Sequence, residues 1–213
     1  MRLLAPMTSA MLLAGTLASL YALADALGIA AAWALGGLVL MAAGAIAMAV
    51  TVAAKWICVG TQTAGDHPLW SAFVWLNELQ DTFVEAVAAP WFFSHTYGMG
   101  EINLGLRALG VRIGRGAWID SYWFPETDLC VVGDGASVGP GTVVQTHLFQ
   151  DRVMSLDTVT IKAGATLGSH SVALPASVIG SVATVGPGSL VMRGDQVPSN
   201  SVWQGNPIEP WKK

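Results

Sequence analysis

Residues 161–197 read IKAGATLGSHSVALPASVIGSVATVGPGSLVMRGDQV, and every sixth position from the first is apolar: Ile161, Leu167, Ala173, Ile179, Val185, Val191 and Val197. Gly168, Gly180 and Gly186 directly follow three of these, and the residue two places before each is small: Ala165, Ser171, Ser177, Ala183 and Ser189 precede the middle five. A short fixed period is the signature of a solenoid. A triangular coil accounts for both features, because one apolar residue per face points into the prism and the small one fits the corner beside it. Two shorter runs keep the rule, Ile113 with Ile119 and Val132 with Val138 and Val144, with Ala117, Cys130, Ala136 and Thr142 as their small partners. Residues 111–213 are therefore expected to form a parallel β-helix, with Cys130 as a small interior residue.

Upstream the composition changes. Only 11% of the 213 residues are charged, against roughly 25% in an average soluble protein. Residues 3–54 hold one charged side chain, Asp25, whereas 56–213 carry thirteen acids against eight Lys and Arg. The uncharged runs 7–24 and 29–54 are each long enough, or nearly so, for the roughly 20 residues a bilayer-spanning helix needs. A helical hairpin over residues 7–54, turning at Asp25-Ala26-Leu27-Gly28, is expected within a first segment 1–55. A cleaved signal peptide fits less well, since no cleavage site ends the first run before the second begins. Arg2 and Lys55 flank the hairpin and its loop is acidic, so positive-inside bias puts both ends and the acidic remainder on the cytoplasmic side of the plasma membrane. Ala32, Gly36, Ala43 and Ala47 are small enough for close helix packing. The acidic balance argues against nucleic acid as a partner. Two cysteines, Cys58 and Cys130, form neither a disulfide framework nor, with histidine, a zinc motif, and no metal is expected.

Residues 56–110 form a segment of interfacial helices. An amphipathic helix over 69–89, ending at Pro90, carries Trp70, Phe73, Trp75 and Phe83; with Trp56 and Trp91-Phe92-Phe93 it suits a lipid headgroup zone. A second helix over 101–109 ends at Gly110.

Insertions in a solenoid project from the stack, and functional residues concentrate there. The period breaks twice. Ile119 and Val132 stand thirteen apart, around Asp120, Tyr122, Trp123, Glu126 and Asp128; Val144 and Ile161 stand seventeen apart, around Gln145, His147 and Asp151. The breaks lie about one coil apart, so their loops can share a groove. His147 is the first candidate for proton transfer near neutral pH, with a structural histidine satisfying loop carbonyls as the alternative. His170, inside an unbroken hexad, is expected at the surface.

The coil resembles the hexapeptide acyltransferases, which implies a left-handed β-helix, trimers with sites in the grooves between neighbours, and a loop histidine as general base. A closer resemblance runs through Asp66-His67-Pro68-Leu69-Trp70, Glu78-Leu79-Gln80-Asp81-Thr82-Phe83, Ala89-Pro90-Trp91, Tyr122-Trp123, Val144-Gln145-Thr146-His147-Leu148-Phe149, Asp151-Arg152-Val153-Met154 and Gln204-Gly205-Asn206-Pro207. These segments, with the hairpin before them, resemble one membrane-embedded C-terminal unit of the ε-poly-lysine type of poly(amino acid) synthetases, which are single-module nonribosomal peptide synthetases.

That resemblance implies a condensation unit. An aminoacyl thioester on the phosphopantetheine arm of a carrier protein is attacked by the amine of a free amino acid or cationic oligomer such as lysine, with His147 taking the proton. It implies substrate contacts from Asp120, Tyr122, Trp123, Glu126, Asp128, Gln145 and Asp151, although a solvated-loop role stays open for the acids. It further implies a homotrimer or pseudo-trimer, because the family joins three such units and this chain holds one. Alternatives are a CoA-dependent acetyltransferase acting on a small amine or hydroxyl, and a non-catalytic trimeric membrane scaffold. A metal-dependent hydratase would need a third histidine close to His147 and His170.

Overall fold

The computed structural model describes residues 3–211, which fall into two compact units. Met1–Val59 with Leu76–His95 form one, and Gly60–Trp75 with Thr96–Lys213 form the other. The segment 56–110 is thus shared: residues 60–75 and 96–110 belong with the coil, and 76–95 with the hairpin.

In the first unit, helices α1 (Leu4–Leu27) and α2 (Ile29–Cys58) pack as a hairpin. At 1.5 Å per residue they measure about 36 and 45 Å, enough by length and composition to cross a membrane. Gly28, with φ +87°, makes the turn alone; Asp25 lies in the last turn of α1 and not in a loop. Arg2, which entered the orientation argument, lies outside the described residues. Hydroxyls inside the helices are satisfied locally: Thr16 donates to the Leu12 carbonyl at 2.8 Å and Thr51 to that of Ala47 at 2.9 Å, as an apolar surrounding requires. Ala43 and Ala47 are buried, the latter with Ala5 and Val87, and a Cβ on Gly44 would meet the Trp91 carbonyl oxygen at 2.6 Å. The C-terminal half of the small-residue stripe therefore packs α2 against residues 84–91, while Gly36 faces Leu20 of α1. That stretch continues α3 (Ala72–Phe83) through a π turn, Val84–Ala88, into Ala89–Trp91. The helical stretch ends at Trp91, one residue past the expected stop at Pro90. Pro90 lacks the N–H an α turn would use, and the wider turn directly precedes it.

The second unit is the coil. Three parallel sheets carry the interior ladders in register: Ile113, Val132, Ile161, Ile179 and Val197 on one face; Ile119, Val138, Leu167, Val185 and Trp203 on the next; Val144, Ala173 and Val191 on the third. Except for the terminal Ile113 and Trp203 these side chains are buried, as are the small residues two places before them. A mean of six residues per face, with inward positions alternating against the pleat, is what closes the prism. The helix Gly100–Leu109 precedes the first coil, with Ile102, Leu106 and Leu109 buried.

The corners repeat as well. The second residue of each turn takes a left-handed conformation, and up one corner these are Gly116, Gly135, Gly164, Val182 and Asn200. A β-branched residue there is strained by roughly 1–2 kcal/mol, and Val182, φ +59°, is 60% exposed, so its side chain recovers little by burial. Val182→Asn, which copies Asn200 one coil along, is expected to raise unfolding stability by about 1 kcal/mol and the melting temperature by roughly 2–4 °C. Denaturant and thermal unfolding of the detergent-solubilised chain measure this; an unchanged or lower midpoint contradicts it.

Candidate active site

The second break in the period is a β-hairpin. His147–Gln150 pairs antiparallel with Val153–Leu156, and Asp151 and Arg152, φ +49° and +64°, form its tight turn. Gly65–Pro68 adds a third antiparallel strand along Val153–Leu156, where Ser155 donates to an Asp66 carboxylate oxygen and receives the Arg193 guanidinium at 3.2 Å. Beneath the hairpin, Leu129, Met154 and Leu156 pack with Val74. This fixes the base of the hairpin, and with it His147.

The first break runs directly along the coil's third face, one turn earlier. Val144 donates its N–H to the Trp123 carbonyl at 2.9 Å, and the Ser121 hydroxyl donates to the Thr142 carbonyl at 2.6 Å. That register sets residue 126 beside 146 and 147. The Glu126 N–H donates to the Thr146 hydroxyl at 3.1 Å, and the same hydroxyl donates to Glu126 Oε2 at 2.5 Å. His147 Nδ1 lies 2.9 Å from both Oε1 and Oε2. Gln145 Nε2 donates to the His147 carbonyl at 3.0 Å, holding the strand end, and the Phe149 ring meets the imidazole edge-on at 5.0 Å.

Glu126 is fully buried and the His147 side chain 16% exposed. As a carboxylate, Glu126 can only accept, and in that state it holds the proton of the imidazole on Nδ1 and leaves the lone pair on Nε2. Among the described residues Nε2 makes no hydrogen bond. The arrangement is one that can hold an imidazole as a general base, with a carboxylate behind it to orient the ring.

The other expected residues divide. Glu126 has a different place from the one expected: enclosed and turned to His147, it does not face outward as a substrate acid. Asp128 accepts the Gln62 N–H on Oδ2 at 2.9 Å, tying down the chain that enters the coil. Asp151 stands exposed at the hairpin tip, three residue pairs from His147. Asp120, Tyr122 and Trp123 remain together on the 120–126 segment, where the Tyr122 and Trp123 rings stack at 4.9 Å. His170 is an exposed corner residue.

Cys130 lies beside this pair, its thiol donating at 3.7 Å to the Glu126 carbonyl. Burial first, then the charges of Glu126 and Asp128, push the thiol well above its usual range. In the folded protein it stays protonated while in the unfolded chain it ionises, so this stabilisation is present below the ordinary thiol range and is lost as pH rises above it. In a Cys58→Ser variant, maleimide at pH 8.5 is expected to label Cys130 only after denaturation. Rapid labelling of the native chain contradicts the buried placement.

No family model matches the chain. Over 157 residues, 74% of its length, it is 36% identical to a delta-poly-L-ornithine synthetase of Acinetobacter baumannii (strain AB307-0294), and it spans 12% of that protein. Among solved structures it is similar to a galactoside acetyltransferase in complex with coenzyme A, with 18% identity, TM-score 0.44 and coverage of 57% of this chain and 74% of that one. It is also similar to a hexapeptide-repeat acetyltransferase of Vibrio cholerae O1 biovar eltor complexed with acetyl coenzyme A, with 20% identity, TM-score 0.42 and coverage of 48% and 60%. The class shown is a parallel β-helix of hexapeptide repeats in a chain that also carries two long apolar helices. The sequence relative is a poly(amino acid) synthetase, named for ornithine and not for lysine.

Proposed function

We propose that this chain forms amide bonds by aminoacyl transfer, as a condensation unit anchored in the membrane by α1 and α2. The observation that carries the proposal is the His147 imidazole backed by buried Glu126; the 36% identical synthetase supplies the substrate class. An aminoacyl thioester on the phosphopantetheine arm of a carrier is the donor. The acceptor is the amine of ornithine, or of lysine, free or at the end of an oligomer. The relative's name assigns the product linkage to the δ-amine, so ornithine is the first acceptor to test.

The acceptor ammonium loses two protons: Nε2 takes the first and passes it to solvent, then takes the second from the adduct nitrogen once it has attacked the thioester carbonyl. The new C–N bond forms, the C–S bond breaks, and the imidazolium returns the proton to the departing thiolate. Glu126 stabilises the imidazolium while it exists. Tyr122, Trp123 and Asp120 lie on the acceptor side beyond the reacting amine, Gln145 positions the His147 backbone, and a backbone amide receives the oxyanion. A left-handed coil assembled as a homotrimer or pseudo-trimer, with its soluble part cytoplasmic, completes the proposal.

The test uses the full chain in detergent, ornithyl- or lysyl-loaded carrier protein, and the free amino acid, with products read by mass spectrometry. A dipeptide or longer oligomer is expected with the carrier-bound donor. Acetylated amino acid from acetyl-CoA, with no product from the carrier, would overturn the proposal in favour of an acetyltransferase. No covalent product from either donor would favour a scaffold.

A further inference from the structure

Tyr97 lies just before the helix Gly100–Leu109, and the sequence pattern gave it no role. Its ring lies nearly parallel to that of Tyr122, at 20° with centroids 6.4 Å apart; Tyr122 in turn lies at 25° and 4.9 Å from Trp123. The three rings make a row in which both end members are open to solvent, Tyr97 at 39% and Trp123 at 38%. Exposed aromatic faces in series are costly to leave against water unless something covers them. Asp120, two residues before Tyr122, adds a carboxylate whose charge reaches the Tyr97 hydroxyl: burial, then Tyr122, then Asp120 raise that hydroxyl above its usual range. Aromatic faces and a carboxylate together select an organic ammonium.

We infer that Tyr97, Tyr122, Trp123 and Asp120 form a binding row for the free ammonium groups of the growing oligomer, a specificity site distinct from the reacting amine at His147. The inference rests on the amide-forming activity proposed above. Trp123 and Glu126 are three residues apart, a span of at most about 10 Å, and Glu126 holds His147. A δ-linked ornithine chain carries one free ammonium per residue, about 7 Å along an extended backbone of this kind. An oligomer whose terminal amine reaches His147 therefore has several further ammonium groups to lay on the aromatic row, whereas a single amino acid has one at most. The row thus favours extension of an existing chain over initiation.

Calorimetric titration of the full chain in detergent with an ornithine trimer separates this from the catalytic proposal, since it needs no turnover. Tyr97→Leu is expected to weaken trimer binding about three- to fivefold, the size of an exposed cation–π contact, and Tyr97→Phe, which keeps the π face, to bind as wild type does. Free ornithine is expected to show a smaller difference between the variant and wild type than the trimer does, and a trimer acetylated on its α-amines to lose the difference. In turnover, Tyr97→Leu is expected to raise KM for the trimer with kcat unchanged. Equal trimer binding by Tyr97→Leu and wild type, or binding of glycerophosphoethanolamine as tight as that of the trimer, overturns the inference even where amide formation is observed. Trimer binding that depends on Tyr97, without any amide product, upholds the row and refutes the catalytic proposal.

Discussion

Replacing His147 with alanine is expected to lower single-turnover aminoacyl transfer by about 10²–10⁴-fold, the usual contribution of a positioned general base. The acceptor amine of a diamino acid is an ammonium near neutral pH, and no bond to the thioester carbon forms until that proton leaves. Nε2 is the group at hand, because the Nδ1 side of the ring is committed to Glu126 at 2.9 Å. Alanine also removes one partner of a fully buried carboxylate, and such losses destabilise by 1–3 kcal/mol or more. His147→Gln separates the two effects: its amide can still donate to Glu126 but cannot act as a base. Glutamine is expected to restore the melting temperature and not the rate. A glutamine variant that retains wild-type rate removes the histidine from the chemistry.

Glu126→Gln carries the second large effect, a fall in kcat of about 10²–10³-fold with KM little changed. The neutral amide can turn its NH₂ toward Nδ1, which moves the imidazole proton to Nε2 and abolishes the base, and it no longer offsets the imidazolium charge. Glu126 is enclosed, and its oxygens are engaged by Thr146 at 2.5 Å and by His147. The change therefore acts through the histidine and not through substrate binding. A raised KM with intact kcat would return Glu126 to the role of a substrate acid.

The coil was legible in the sequence because its period is the physical repeat itself: every interior position read from residues 113–197 lies on one of the three ladders. The breaks were legible as breaks, and the structure brings them together. Which acid meets His147 was not. Asp120, Glu126 and Asp128 are equivalent on spacing alone, and the choice depends on the bond between Val144 and Trp123, a register set twenty-one residues apart where the other two faces step by nineteen. The inserted hairpin turns on Asp151-Arg152, both left-handed, in place of the Asn-Gly that usually announces such a turn. The edge strand Gly65–Pro68 has no β-forming residue at all; it exists because Val153–Leu156 offers it a partner. Tyr97 escaped notice for a related reason, since a ring stack across twenty-five residues leaves no local signal. In the first unit, apolar run lengths gave the two helices and Pro90 marked the end of the third to within one residue, but the π turn just before it is not encoded in residue preferences.

The pairing of His147 with Glu126 as the engine of amide formation is tested most directly by single-turnover transfer from ornithyl-loaded carrier to ornithine, followed across pH for wild type, His147→Gln and Glu126→Gln. Wild type is expected to form the amide with a rate that rises as one group loses its proton, and both variants to lose at least 10²-fold of that rate while binding donor normally. Equal rates in all three proteins would contradict the account and leave the pair as a structural clasp between two coils.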